Sequence, residues 1–254
     1  MLFVGEKVGN GQGPAIDVAL DALEGPTICA TGAHNAMSVI AITERGKFLA
    51  CPNHLYMEKI AVSPAGKGIV DLDQSPQENL RQLADAKGVY IADLTVVILD
   101  RPRNEKIIGE VRKAGARIQL LSAGDLAAAI ATTRDETGVD ILMGSGGVAQ
   151  GILAAAALRC LGGEIQGRFK PRNEEEADQL RAVGIYDLTK KYTTEEMAGG
   201  NVMFAATGVT PGDYLKGVRF FKGGATTNSV VMRFQSRTVR FIEAIHHFDF
   251  KPEY

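Results

Sequence analysis

The pattern of hydrophobic and polar positions changes about a third of the way along the chain. Before residue 93, short apolar runs separated by glycine turns predict strands at residues 2–4, 15–21, 36–43, 47–51 and 56–62. Ser75 and Pro76 then supply an N-cap and a first helical residue ahead of an apolar face that contains Leu80 and Leu83. We therefore expect a mixed, partly antiparallel sheet that is closed by a helix.

After residue 93, strands and helices alternate. Predicted strands at 95–99, 117–121 and 139–143 are followed by helices at 104–114, 126–131 and 148–161. The strands at 95–99 and 139–143 are mostly apolar, as expected of parallel strands that are covered on both faces. A helix at 173–182 and strands at 202–206, 218–221, 229–234 and 238–245 follow. The pattern predicts an α/β fold with a mixed sheet, a mostly parallel sheet and two domains, 1–93 and 94–254.

Composition and charge limit the classes of partner that we expect for this chain. The net charge is -2 and no long Lys/Arg run occurs, so neither nucleic acid nor a membrane surface is expected as a partner. The most apolar stretch, 151–161, is too short to cross a bilayer and contains Arg159. Cys29, Cys51 and Cys160 lack the spacing of a disulfide framework or a zinc site. With no export signal at the start of the sequence, we expect a cytoplasmic protein.

Two charged clusters follow predicted strands, where ligands gather in open α/β sheets. Asp21 and Glu24 form an acidic segment that ends at Gly25; it can hold a divalent cation or be a solvated turn. The segment Arg101-Pro102-Arg103 carries two guanidinium groups that suit phosphate or carboxylate oxygens. A charged loop paired with Glu105 is the alternative.

Glycines mark two further strand ends. The segment Gly144-Ser145-Gly146-Gly147 precedes a predicted helix, so its amides can approach an anion there or form a tight turn without a ligand. The segment 122–125 has a similar position after its strand. Tyr56 can hydrogen-bond a sugar, although a core position is the default. The four histidines show neither metal-ligand nor triad spacing and are expected to be structural: His34, His54, His246 and His247.

Ordered motifs run through nearly the whole chain. They are Val4-Gly5-Glu6-Lys7-Val8-Gly9, the 21–25 segment, Tyr56-Met57-Glu58-Lys59, Asp100-Arg101-Pro102-Arg103, Gly115-Ala116-Arg117, Gly124-Asp125, Gly162-Gly163-Glu164-Ile165-Gln166-Gly167, Ala206-Thr207-Gly208-Val209-Thr210 and Leu215-Lys216-Gly217-Val218-Arg219. Together they resemble the class II fructose-1,6-bisphosphatases, the GlpX-type family of metal-dependent sugar phosphatases.

The resemblance implies a layered α/β sandwich of the sugar phosphatase type, with the metal and phosphate site in 1–93 and sugar-phosphate binding in 94–254. It implies that Asp21 and Glu24 are the catalytic metal ligands, with Gln150 as a weakened third ligand, for Mn²⁺ or Mg²⁺. The implied reaction is hydrolysis of the 1-phosphate of fructose 1,6-bisphosphate in gluconeogenesis, by a homo-oligomer. The implied substrate-binding residues are Glu24, Gly25, Pro26, Tyr56, Arg101, Pro102, Arg103, Ala123, Gly124, Asp125 and Gly147.

Three positions depart from the pattern of the family. Pro26 replaces a hydroxyl residue, Gln150 replaces a glutamate ligand, and Ala123 replaces an aspartate. Family members also carry an acidic upstream segment, so the resemblance implies further metal ligands, and a helical layer over the first sheet, that this sequence lacks. These departures leave one alternative to the enzyme: a catalytically impaired paralogue that binds sugar phosphate without turnover.

Overall fold

A computed structural model describes residues 4–250, which form two β-sheets and seven α-helices. The strands are β1 (Ile16–Glu24), β2 (Met37–Glu44), β3 (Tyr56–Val62), β4 (Thr95–Leu99), β5 (Arg117–Leu121), β6 (Ile141–Gly147), β7 (Glu164–Phe169), β8 (Met203–Gly208), β9 (Arg219–Phe221), β10 (Gly224–Arg233) and β11 (Thr238–His247). The helices are α1 (Pro26–Thr31), α2 (Pro76–Lys87), α3 (Glu105–Ala114), α4 (Asp125–Ala131), α5 (Val148–Leu161), α6 (Glu174–Ala182) and α7 (Thr194–Met197).

The first sheet has the order β1-β2-β8-β10-β11, with β9 also paired to β10, and all of its pairs are antiparallel. Alternate residues of β2 are buried, including Met37, Val39 and Ala41. This period of two is typical of a sheet with one face on the core and one face toward solvent.

The outward face of the first sheet is apolar. Large side chains on it are exposed, and we call the surface that they form the open face: Ile16, Val18, Leu20, Ile40, Met203 and Ile242. They share one side because Leu20 pairs with Ile40, Val18 pairs with Ile42 and Ile42 pairs with Met203 in the strand register. The first sheet therefore exposes a row of apolar side chains on this face.

The second sheet has the order β5-β4-β6-β3-β7. Strand β4 is parallel to β5 and β6, whereas β3 is antiparallel to β6 and β7. The parallel pairs are joined through helices α3 and α4, as the alternation in the sequence predicted. The sheet thus contains two parallel and two antiparallel pairs.

Helix α5 lies between the two sheets and contacts strands of both. Ten of its 14 residues are buried, among them a run of alanines at 154–157. A helix that is apolar on all sides is stable only when it is covered on all sides. Helices α4 and α5 therefore form the inner layer of a sandwich, while α2 and α3 cover the far side of the second sheet. No helix within residues 4–250 is long and apolar enough to cross a bilayer.

The α/β class and the layered sandwich are confirmed. Both sheets draw strands from each side of residue 93, because β3 lies inside the second sheet and β8, β10 and β11 belong to the first. The position 93/94 is therefore not a boundary between sheets, and the division into two domains stays a prediction.

Several predicted elements differ in the structure. The segment 47–51 is not a strand, because only Phe48 makes an isolated bridge, to Ala198. Strand β7 and helix α1 were not predicted. The predicted strand at 2–4 lies outside the described residues except for Val4, which is in a turn. Strand β10 begins at Gly224, five residues earlier than expected, because it pairs there with both β9 and β11.

Candidate functional site

A β-bulge brings Asp21 and Glu24 to one side of β1. The two residues are three positions apart, so in a regular strand their side chains would point to opposite faces. Here Asp21 pairs with Val39 and Glu24 pairs with Met37, so β1 carries one residue more than β2 over this step. Both carboxylates therefore share the inward face with Val39 and Met37. The sequence predicted a turn at 21–25, but the strand continues to Glu24.

Helix α1 begins directly after the acidic pair. Gly25 is its N-cap and has a left-handed backbone with φ of 77°, and Pro26 is the first helical residue. A Cβ on Gly25 would lie 2.8 Å from Cδ1 of Ile28, and a Cβ on Gly124 would lie 3.2 Å from the same atom. The buried Ile28 side chain thus fixes the distance between the turns at 25 and 124, both of which were predicted to bind substrate.

Ionisation of the Glu24 carboxyl group is strongly disfavoured. Its side chain is only 3% exposed, and Oε2 has no hydrogen-bond partner among the described residues. Burial, followed by the nearby carboxylates of Asp125 and Asp21, raises the pKa of Glu24 to about 8, while Lys59 acts in the opposite direction. A cation placed beside this oxygen would offset the repulsion.

Gln150 contacts the acidic pair from the first turn of α5. Its Nε2 donates a hydrogen bond of 3.2 Å to Oδ2 of Asp21. Its Oε1 lies so close to Gly147 that a Cβ there would be 2.2 Å from this oxygen. Two carboxylates and an amide oxygen are ligands that suit a hard divalent cation. Within residues 4–250 no group of three or more His, Cys, Asp or Glu residues converges on one metal position.

A buried ion pair joins strand β3 to helix α4 within the site. Lys59, on β3, donates from Nζ to Oδ2 of Asp125 at 2.5 Å and to the carbonyl oxygen of Gly147 at 3.1 Å. The side chains of Lys59 and Asp125 are 3% and 7% exposed. One ammonium group therefore joins the first turn of α4 to the end of β6.

The glycines at 144–147 form the end of strand β6, whereas the sequence predicted a loop there. Residues of β3 pair with all four residues of this segment, from Lys59 opposite Gly144 to Tyr56 opposite Gly147. Side chains occupy the space where a Cβ would be, with Asn104 at Gly144 and Asp125 at Gly146. The glycines thus allow neighbouring side chains to approach the backbone closely.

The arginines at 101 and 103 form a cationic corner beside Tyr56. Arg101 donates to the carbonyl oxygens of Asp100 and Ser122, and Arg103 donates from Nε to that of Ser145 at 3.0 Å. The Arg103 guanidinium lies 4.4 Å from the centroid of the Tyr56 ring.

No carboxylate in the described part of the chain pairs with Arg101 or Arg103. The alternative of a loop neutralised by Glu105 is therefore wrong. Arg172 also lies over Tyr56, at 4.9 Å, but it is neutralised by Glu176. The corner therefore has positive charge available for an anion. Arg103 also borders a cavity of about 250 Å³ on the α2–α3 side of the sheet.

Three supporting residues were missed by sequence reasoning: Ile28, Lys59 and Asn104. Asn104 was read as the start of a helix, but its Nδ2 donates to the carbonyls of Leu99 and Ser145 while its Oδ1 accepts from Ser145 N. It thereby ties the arginine turn to β6. Lys59 could have been noticed because it occupies the inward register of Met57 and Ala61 in an apolar strand.

The predicted site residues come together from both sheets. Contacts link Asp21 to Gln150, Gln150 to Gly147, Gly147 through Lys59 to Asp125, and Gly25 through Ile28 to Gly124. Pro26 is exposed and Ala123 is half-buried at the edge of this group. The other end of this group of residues is formed by Arg101, Pro102, Arg103 and Tyr56. The roles of these residues stay predictions.

Comparison with known proteins shows the family of the chain. A family model described as bacterial fructose-1,6-bisphosphatase, glpX-encoded, matches residues 1–246. A D-fructose 1,6-bisphosphatase class 2/sedoheptulose 1,7-bisphosphatase from Synechococcus sp. (strain JA-3-3Ab) is 42% identical, over 97% of this chain and 78% of the relative. A protein of the same name from Synechococcus elongatus is also 42% identical, over 98% of this chain and 79% of the relative. The chain therefore belongs to the GlpX-type, class II fructose-1,6-bisphosphatase family.

Proposed function

We propose that the chain hydrolyses the 1-phosphate of fructose 1,6-bisphosphate with Mn²⁺ or Mg²⁺, as a step of gluconeogenesis in the cytoplasm. The family consists of phosphoric monoester hydrolases. The observation that carries the proposal is that an acidic group and a cationic group both adjoin the end of β6. The acidic end contains Asp21, Glu24 and Gln150, and the cationic end contains Arg101 and Arg103. A sugar with two phosphates suits such a site.

At the acidic end, Asp21, Glu24 and the Gln150 amide oxygen would hold the divalent cation. The buried and unpartnered Oε2 of Glu24 supports this assignment, because a cation would supply the missing partner. Held there, a divalent cation would supply charge to polarise the phosphoryl group and to lower the pKa of a water molecule. Protein oxygens fill only part of its coordination, so water and substrate phosphate would fill the rest.

At the other end, Arg101 and Arg103 would bind the phosphate that is not cleaved. Their positions are fixed by hydrogen bonds to backbone carbonyls, so little side-chain entropy remains to be lost on binding. Tyr56 lies beside them and Asp125 lies between the two ends, where its Oδ1 accepts no hydrogen bond from the described residues. We assign Asp125, together with the backbone at Gly25, Gly124 and Gly147, to contacts with the sugar and the cleaved phosphate.

The proposal extends to assembly and location. We propose a homo-oligomer whose copies meet through the open face, because contiguous exposed apolar surface marks interaction sites. The three cysteines are free thiols, which is consistent with a reducing compartment.

The test is phosphate release from fructose 1,6-bisphosphate by the purified chain with Mn²⁺, with Mg²⁺, and with a chelator. The expected products are phosphate and fructose 6-phosphate in the presence of metal only. Detection of fructose 1-phosphate instead would contradict cleavage at the 1-position. Sedoheptulose 1,7-bisphosphate is assayed in parallel, because the names of the relatives include it.

A matched pair of variants tests the acidic end. Asp21→Asn should abolish metal-dependent release, whereas Asp17→Asn, on the same strand but beside Gly46, should keep it. Binding of the sugar bisphosphate by the folded wild-type chain without any release would identify the impaired paralogue. Neither the family match nor the relatives support that alternative.

A further inference from the structure

Lys59 occupies a position that apolar residues usually fill. Strand β3 alternates between two cores, and Lys59 shares the inward register of Met57 and Ala61. Its side chain is 3% exposed, so its charge has been removed from water. A buried lysine is tolerated only where a partner compensates for that loss. Asp125 is the charged partner, and the carbonyl of Gly147 accepts a second hydrogen bond.

Glycines provide the space that this lysine needs. A Cβ on Gly146 would lie 2.1 Å from Oδ2 of Asp125 and 2.8 Å from Nζ of Lys59. A Cβ on Gly151 would lie 3.3 Å from Cδ of the lysine. Any side chain at 146 would displace the ion pair. The strand end and the helix that follows it are thus shaped around the Lys59 side chain.

The ion pair leaves one oxygen of Asp125 for a ligand. Lys59 holds Oδ2, and Oδ1 accepts no hydrogen bond from residues 4–250. Asp125 lies in the first turn of the short helix α4, whose N-cap Gly124 has no side chain to restrain it. Without Lys59, the Asp125 carboxylate would lose the partner that holds Oδ2 and could rotate.

We propose that Lys59 is a positioning residue, which orients Asp125 toward the sugar of the substrate without touching the substrate itself. This inference rests on the proposed function, in which Asp125 lines the sugar site. It names a residue whose effect on activity must pass through Asp125. A residue that acts through another gives a characteristic result in a double-mutant cycle.

The cycle consists of Lys59→Met, Asp125→Asn and the double variant. Lys59→Met should lower kcat/KM by about 10- to 100-fold, with a larger effect on KM than on kcat, since a misplaced group loses binding before chemistry. Asp125→Asn should have a similar effect. The double variant should stay within about threefold of Asp125→Asn alone. It also contains no unpaired buried charge, so it serves if Lys59→Met does not fold.

Lys87→Met is the matched control. Lys87 pairs with Asp140 at the opposite end of β6, and both side chains are largely buried. This variant should lose thermal stability but keep kcat/KM. If Lys59→Met behaves in the same way, Lys59 has a purely structural role and the proposal is overturned. If the effects of Lys59→Met and Asp125→Asn multiply, Lys59 contacts the substrate directly and the proposal is also overturned.

A binding measurement separates this inference from the proposed function. Affinity for fructose 6-phosphate, measured by calorimetry on the same four variants and the wild type, does not require turnover. A wild-type chain that binds but does not hydrolyse would contradict the proposed function, while the cycle would still test Lys59. A wild-type chain that neither binds nor hydrolyses would overturn both.

Discussion

At the scale of single residues, Glu24 has the clearest thermodynamic consequence. Its pKa is raised from 4.5 to about 8 in the folded chain by burial and by the carboxylates of Asp125 and Asp21. Between these values the folded chain retains a proton that the unfolded chain has released. Without metal, the free energy of unfolding should therefore fall as pH rises from about 5 to about 8. The loss should be a few kcal/mol, at about 1.4 kcal/mol per unit of pKa.

Urea unfolding at pH 5.5 and pH 8, with chelator and with Mn²⁺, measures this effect. Glu24→Gln should remove most of the fall, because the amide does not ionise. Added Mn²⁺ should restore stability at pH 8 far more than at pH 5.5, since it binds the ionised form. Glu175→Gln, on the exposed side of α6, serves as the control and should follow the wild type. Equal pH dependence in wild type and Glu24→Gln would contradict the raised pKa.

The sequence predicted which residues belong to the candidate site, but not how they come together. Asp21, Glu24, Arg101 and Arg103 were singled out because they follow predicted strands, where ligands gather in open α/β sheets. Their relation depended on features that leave no local signal. The β-bulge that brings the two acids to one face is defined only by pairing with β2. Lys59 was overlooked as a site residue because its partner lies 66 positions away in sequence.

At the scale of elements, helix α1 links the end of the acidic strand to the turn at Gly124. Its two ends are glycines with left-handed backbones, Gly25 with φ of 77° and Gly32 with φ of 65°. A Cβ at Gly25 would lie 2.8 Å from Ile28, whereas nothing lies within 4 Å of a Cβ at Gly32. Gly32→Ala should therefore cost only the backbone strain, about 1–2 kcal/mol. Gly25→Ala should cost about 1–3 kcal/mol more, because Ile28 cannot move away without disturbing Gly124.

The two variants should also differ in activity. Displacing Ile28 moves the turn that carries Glu24, so Gly25→Ala should lower kcat/KM by at least about 10-fold. Gly32→Ala should leave kcat/KM unchanged at temperatures where it is folded. Denaturant unfolding and phosphate release on both proteins provide the measurements. Similar losses of stability and activity for both variants would show that Ile28 does not link the turns.

Elements with strong local signals were predicted well from the sequence. Helix α2 has a Ser75 N-cap that accepts a hydrogen bond from Glu78, a proline at its first position and a left-handed Gly88 after its last residue. Helix α1 was missed because six residues with few helix formers carry no periodicity. Strand β7 was missed because Gly167 interrupts its apolar pattern. In the fold this position is close to another side chain, since a Cβ there would lie 2.8 Å from Met57.

At the scale of the whole molecule, the site depends on the order of the layers. Asp21 and Glu24 come from the first sheet, Lys59 and Gly147 come from the second, and Gln150 lies at the start of the helix between them. No local segment could therefore assemble the site alone. The layer order also follows from the alanine-rich α5, which is narrow enough for two sheets to pack on it. Within residues 4–250, no helix or strand covers the open face of the first sheet.

The open face leads to a prediction about assembly. Leu20 and Ile40 are 42% and 44% exposed and lie side by side in register. Burying the part of each side chain that is still exposed would contribute about 0.5–1.5 kcal/mol each. Leu20→Lys with Ile40→Lys should therefore shift the chain toward its monomer mass of 27.1 kDa in sedimentation velocity. Val89→Lys with Val183→Lys replaces side chains of similar exposure, 40% and 48%, outside this face and should not change the mass. A wild-type chain that is monomeric at every concentration, or a Leu20/Ile40 variant that keeps the wild-type mass, would show that copies do not meet through the open face.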